Sequence, residues 1–370
     1  ERLVRLVLDE HAPVLLLAGD VYDGDWHDYS TGRFFVEQMD RLHEAGVRVL
    51  MVAGNHDAES EITRALRLPP NVTVLDTGTA QTVLVDDLGL AVHGRGFPTR
   101  AVMENLAVSY PHRIPGLVNV GLLHTSVDGT EGHARYAPCR LPELTGLGYD
   151  YFALGHVHQH RVLADGEHTV AYSGNLQGRH PRETGPKGAL VVDLGDGPAR
   201  TELRALDVAR WASLDVRVDD CPTLDAVLDA TGDVLRTAVT GADGRPLVVR
   251  LTLTGRTRAA TELADSVRVH EEVSRLARHL GTTVERVRVA TRPPDAPDPA
   301  LDELRSAVRD RALRLADDPA ELRSALRSLD AEVGRQLREA DLLDLNHPET
   351  LATLAARAAD SLDALLGGRG

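Results

Sequence analysis

Eight side chains able to bind a metal or move a proton sit in four short loops. Asp20 and Asp23 lie in GDVYD, Asn55, His56 and Asp57 in GNHD, His124 in LLHTS, and His156 and His158 in GHVH. Carboxylate, amide oxygen and imidazole together suit borderline divalent metals such as Mn²⁺, Fe²⁺ or Zn²⁺. A carboxylate can bridge two such ions. Two ions about 3.5–4 Å apart clamp the attacking and leaving oxygens of a phosphoryl transfer and generate hydroxide near neutral pH. Each loop alone has a plain structural reading. GD after a strand is a turn, GNHD a turn with a helix cap, His124 a buried packing residue, and GHVH two histidines on one strand face. The succession of four, each after an apolar run, is what points to chemistry. His11, His43, His93, His112, His133, His168, His270 and His279 follow no such pattern and read as surface or packing residues.

The elements that must position these loops are short apolar strands. VLLL at 14–17, VRVLMVA at 47–53, VNVGLLH at 118–124 and DYFAL at 150–154 each end in one of the loops. Ligands at the carboxyl ends of neighbouring strands converge on one sheet edge, where α/β proteins place their sites. Leu3, Val4, Leu6, Val7 and Leu8 mark an amphipathic helix ahead of the first strand, and Phe34, Phe35, Met39 and Leu42 recur at near-helical spacing. From 81 to 97 and from 161 to 195, strands alternate with DG-type turns, which predicts hairpins. The whole suggests an α/β sandwich of two sheets up to about residue 205.

Residues 206–290 predict a separate βαβαβ unit: strands WASLDVRV, PLVVRLTL and VERVRVA, with helices over 223–239 and 262–280. TRPPDAPDPA at 291–300 is a proline-rich linker expected to support neither helix nor ladder. Beyond it, Leu322, Leu326, Leu329, Val333 and Leu337 form one helical stripe, and Leu351, Leu354, Ala358, Leu362 and Leu365 another.

Composition narrows the classes. The 370 residues are 42% hydrophobic and 26% charged, with no apolar run approaching a membrane span. Cys139 and Cys221 form no CxxC pair, which argues against a disulfide framework or a structural zinc site and for a reducing cytoplasm. The net charge of −15 repels nucleic acid at long range, so binding to it must rest on a local site. Lys187 is the one lysine among 41 basic residues, as in proteins from GC-rich genomes.

GDVYD, GNHD, LLHT and GHVH, in this order, resemble the motifs of the calcineurin-like metallophosphoesterases. Within them the chain looks most like the bacterial DNA-repair exonucleases of the SbcD/YhaO type, and AYSGNLQGRHPRETGPKGALVVDL at 171–194 is the most specific piece of that resemblance. It implies a four-layer αββα nuclease domain over 1–205, an α/β capping domain over 206–292 and a helical tail over 300–370. It also implies two divalent ions, Mn²⁺ first among them. Asp20 would bridge them, Asn55, His124 and His156 would complete one site, and His158 would belong to the other. His56 would be the catalytic histidine and Asp23 would orient it. Arg179 and Arg182 would touch substrate phosphates, or stand as exposed loop arginines. The implied partners are DNA ends and an SMC-like ATPase docked on the tail, with a homodimer as a further assembly and no membrane. The tail stripes fit a partner groove or the protein's own core equally well. The family opens with an Asp-x-His strand that has no counterpart ahead of GDVYD. The expectation is either a truncated segment or the loss of one metal site. A nucleotide or small-molecule phosphoesterase and a non-catalytic subunit remain the alternatives.

Overall fold

Strands form here because β-branched and leucine-rich runs are bounded by glycine and aspartate turns, and helices form where apolar residues recur every three to four positions. The computed structural model describes residues 1–22, 30–58, 66–129, 136–195 and 197–294, and scattered positions between 303 and 361. The chain divides into two units, Glu1–Trp211 and Ala212–Gly370.

The first unit opens with helix α1 (Arg2–Asp9), strand β1 (Val14–Leu17), helix α2 (Ser30–Glu44) and strands β2 (Arg48–Met51) and β3 (Val72–Val74). The three strands pair in parallel in the order β1-β2-β3, with Leu15 opposite Val49 and Met51 opposite Val74. Val4, Val7, Met39 and Leu42 from the two helices pack on the outer face of this sheet. Burial of each such side chain contributes about 1.5–3 kcal/mol. Phe34, expected on the same helical face, is 49% exposed, because Phe35 beside it takes the inward position and packs on Tyr22.

A six-stranded sheet follows, from β4 (Gln81–Val85), β5 (Leu90–Arg95), β6 (Val118–His124), the short helix α3 (Leu141–Thr145), β7 (Tyr151–Gly155), β8 (Arg161–Ala164) and β9 (Thr169–Tyr172). Its order is β4-β5-β6-β7-β9-β8; the four central strands are parallel and the two edges antiparallel. Leu50, Val52, Leu75, Val92, Val120 and Leu122 fill the space between the two sheets. On the far face of the large sheet, Leu106, Tyr110, Leu144, Tyr149 and Phe152 cluster under α3 and a 3₁₀ turn. The layers are therefore helix, sheet, sheet, helix, as the αββα reading expects. The hairpin expected to run on to residue 195 differs. β9 does not pair with β10 (Gly188–Asp193), which pairs instead with β11 (Arg200–Ala205). Residues 173–187 are thereby left as the connection that returns over the GHVH loop.

The second unit takes in β12 (Arg210–Arg217) from Ala212 onward, then α4 (Leu224–Thr240), β13 (Leu247–Arg256), α5 (Ala260–Leu263), α6 (Ser266–His279) and β14 (Thr282–Arg292), with strands in the order β12-β13-β14. Val216, Val227, Leu235, Leu251, Leu253, Val269 and Val273 form its core. The helix predicted over 262–280 is broken at Ala264–Asp265, where the Asp265 side chain caps α6 by accepting from the Arg268 N–H at 3.1 Å. The linker expectation is corrected at its start. β14 takes in Thr291 and Arg292, paired with Gly255 and Arg256, because a ladder bond is denied only from Pro293 onward. In the tail, α7 (Pro319–Ala325) is capped by Asp318, and Leu322 packs with Leu351 and Leu326. Leu329, Val333, Leu337, Leu362 and Leu365 lie outside the described residues. Among the described residues no helix is long and apolar enough to cross a membrane.

Candidate metal centre

The site forms where the carboxyl ends of both sheets meet. β1 leaves its sheet through Gly19 (φ 87°) and Asp20 (φ 52°), two successive left-handed residues that turn the chain sharply. Glycine takes this conformation freely, whereas aspartate pays a penalty of about 1–2 kcal/mol. Asp20 is held there by its Oδ1, which accepts the His56 backbone N–H at 3.0 Å. β2 leads into Gly54-Asn55-His56-Asp57. Asp57 is 3% exposed and accepts three backbone N–H groups: Gly54 at 3.0 Å, Val21 at 3.3 Å and Tyr22 at 3.2 Å. It therefore latches the GDVYD loop to the GNHD loop.

From the large sheet, β6 ends on His124, which is fully buried, and β7 ends on Gly155 with His156 (φ 97°) immediately after. A Cβ on Gly155 would lie 1.8 Å from the Ala18 carbonyl oxygen, so only glycine lets β7 approach the end of β1 this closely. The same carbonyl faces His124 Nδ1 at 2.9 Å. A carbonyl only accepts, so Nδ1 carries the proton. On the neutral ring, Nε2 then presents a lone pair to Asn55 Oδ1 at 3.0 Å and Asp20 Oδ2 at 3.4 Å. His156 is close as well: ligand atoms of Asp20, His124 and His156 all lie within 4.8 Å of one another, and the two imidazole rings meet edge-on at 5.2 Å.

This arrangement fits a divalent ion. Converging electron pairs repel unless a cation lies among them. Two ligands at right angles, each about 2.1 Å from an ion, are themselves about 3 Å apart. A metal-binding histidine characteristically donates its other ring N–H to a carbonyl or carboxylate, as His124 does to Ala18. Burial raises the pKa of Asp20, but the His56 N–H and, with His124 in its cationic form, the hydrogen bond and charge of that ring outweigh it, so the net shift is downward; with His124 neutral, a bound cation would take over the role of that charge. Asp57 is shifted upward, first by burial and then by the nearby Asp20 charge, against the pull of its three N–H donors.

Of the expected site residues, the structure brings Asp20, Asn55, His124 and His156 together. His56 is joined to them through its backbone. His158 sits two residues beyond His156, with Nδ1 2.5 Å from Glu183 Oε1. Asp23 lies outside the described residues. Arg179 and Arg182 are exposed on the 173–187 connection. Sequence reasoning missed the roles of Asp57 and Glu183. The first stands inside GNHD, where its type and place read as one more metal ligand. The second stood inside the 171–194 signature with nothing in its spacing to name a partner.

Residues 1–160 match the family model of the calcineurin-like phosphoesterases, and residues 211–292 that of the middle domain of the metallophosphoesterase YhaO. The chain thus carries a calcineurin-like metallophosphoesterase domain. Its particular likeness is to YhaO and to Mre11. It is 30% identical over 256 residues to the uncharacterized metallophosphoesterase YhaO of Bacillus subtilis, covering 68% of this chain and 62% of that one. It is 28% identical over 179 residues to the DNA double-strand break repair protein Mre11 of Methanopyrus kandleri, covering 43% of this chain and 38% of the relative. For Mre11 of Aeropyrum pernix the identity is 28% over 220 residues, covering 54% and 52%. The chain therefore spans between about two fifths and three fifths of the length of these relatives.

Proposed function

We propose that the chain hydrolyses phosphodiester bonds in DNA with a divalent metal, Mn²⁺ first among the candidates, held by Asp20, Asn55, His124 and His156. The observation that carries the reading is the buried meeting of acceptor atoms from both sheets, His124 Nε2 with Asn55 Oδ1 and Asp20 Oδ2, beside His156. Bound there, a divalent ion supplies Lewis acidity toward the phosphoryl oxygens and activates water near neutral pH. The protein's own groups do the rest. Asp20, turned inward by its left-handed backbone, brings the negative charge that attracts the cation. His56 delivers a proton to the leaving oxygen, its loop anchored by the bond from its N–H to Asp20. Asp23 orients His56, and His158 serves a second ion.

Likeness to proteins named for double-strand break repair, and a YhaO-type domain that a minimal esterase does not need, favour DNA over a small ester. In this reading residues 206–292 select DNA ends, residues 300–370 dock on an SMC-like ATPase, and the complex works in the cytoplasm. The net charge of −15 favours a second reading, a nucleotide or small phosphate ester as substrate. Incubating the full chain and Mn²⁺ with an end-labelled DNA duplex and, separately, with a nucleotide diester tests both. Faster turnover of DNA supports the proposal. Turnover of the nucleotide ester alone supports the second reading, and no metal-dependent turnover of either makes the chain a non-catalytic subunit.

A further inference from the structure

His158 is tied twice to one segment, the connection from β9 to β10. Glu183, whose side chain is 16% exposed, places Oε1 2.5 Å from His158 Nδ1 and Oε2 2.7 Å from the Arg179 N–H. Both oxygens are engaged, so the carboxylate cannot rotate away from the ring. Four residues on, Lys187 donates from Nζ to the His158 backbone carbonyl at 2.8 Å, and the Asn175 N–H reaches the same oxygen at 3.2 Å. Ring and backbone of His158 are therefore held from one side by one stretch of chain.

Lys187 is 4% exposed and is the only lysine in a chain with 41 basic residues. A buried site facing one carbonyl suits a compact ammonium. The planar, five-donor guanidinium would leave most of its N–H groups unsatisfied there. The Glu183 and Asp207 carboxylates supply the compensating charge. The exception to the arginine habit thus falls at a position where arginine does not fit.

We infer that Glu183 and Lys187 are a positioning pair that holds His158 with its proton on Nδ1, so that Nε2 is the ligating atom. The inference rests on the metal-centre reading above. Which nitrogen of a histidine ligates is set by the bond that the other makes, and losing such an outer partner typically lowers metal affinity by about 10–100-fold.

The test uses the full chain, ¹⁵N-labelled and metal-free, with long-range ¹H–¹⁵N correlation of the histidine rings at neutral pH; His158→Gln assigns the His158 signal. The wild-type ring should carry its proton on Nδ1. E183A should move the proton toward Nε2, a change that a merely structural role for Glu183 would not produce. A Mn²⁺ titration reads the consequence. E183A should weaken by about 10–100-fold the binding that His158→Ala also impairs. K187R, which keeps the charge and loses the fit, should lower that affinity too. A wild-type proton on Nε2 would overturn the inference. So would an E183A tautomer and Mn²⁺ isotherm identical to wild type. The tautomer is read without metal or substrate, so a failure of DNA hydrolysis leaves this result standing on its own.

Discussion

Asp57→Asn tests whether the fourth residue of GNHD is a ligand or a latch. The wild-type carboxylate takes three backbone N–H donors on two oxygens, Gly54 and Val21 on Oδ2 and Tyr22 on Oδ1. An amide has one oxygen. In its better orientation it keeps the pair from Gly54 and Val21 and turns an NH₂ toward the Tyr22 N–H, leaving a buried donor unpaired and facing another donor. Such a loss costs about 1–3 kcal/mol. Removing the charge that repels Asp20 returns part of it. The net expectation is about 1–2 kcal/mol, or a fall in Tm of about 2–8 °C for a unit of this size. Because the bonds to Val21 and Tyr22 are what bring the GDVYD loop to the GNHD loop, Asp20 and Asn55 should lose their mutual register. Mn²⁺ affinity should then fall about tenfold, from a loss of order 1.4 kcal/mol in pre-organisation, while stoichiometry stays constant. Thermal melts and calorimetric Mn²⁺ titration read both effects. A variant with wild-type Tm but fewer bound ions would refute the reasoning, since it would make Asp57 a ligand.

Three further outcomes follow from the same geometry. His56→Ala should lower phosphodiester turnover by about two to four orders of magnitude in a steady-state assay while leaving Mn²⁺ binding intact; loss of the metal would reassign His56. Gly155→Ala drives a methyl group into the Ala18 carbonyl that orients His124, and should cost about 1–3 kcal/mol of stability and about a hundredfold in turnover, read by urea melts and kinetics. His93 is buried with Nδ1 facing Thr82 Oγ1 and Nε2 facing Asn119 Oδ1, and burial lowers its pKa below 6.5. The unfolded chain therefore takes up this proton first, so stability should be full above about pH 6.5 and fall as the pH drops toward the native value, at up to about 1.4 kcal/mol per unit. Urea midpoints across pH 7.5 to 5 should show a shallower acid slope for His93→Gln; an unchanged slope would clear His93 of the effect.

The strands and the ligand loops were legible because each rests on local signals. An apolar run of four to seven residues followed by glycine and a polar ligand needs no tertiary information to read. VLLL and VNVGLLH became β1 and β6 at the expected residues. What stayed hidden depends on distant partners. The approach of Gly155 to the Ala18 carbonyl, the Val21 and Tyr22 donors on Asp57 and the seat of His158 on Glu183 join residues from 25 to 137 positions apart. No periodicity encodes them. The split helix at Asp265 shows the same limit at short range, since an aspartate inside an amphipathic pattern caps a new helix or faces solvent according to where the chain must turn.

The account's central claim is that Asp20, Asn55, His124 and His156 hold a divalent ion. The most direct measurement is anomalous scattering at the manganese edge from crystals of the full chain grown with Mn²⁺. The account predicts a peak bonded to all four side chains, and its disappearance in His124→Ala crystals grown the same way. A peak elsewhere in the molecule with this cluster empty, or none at millimolar Mn²⁺, would contradict it.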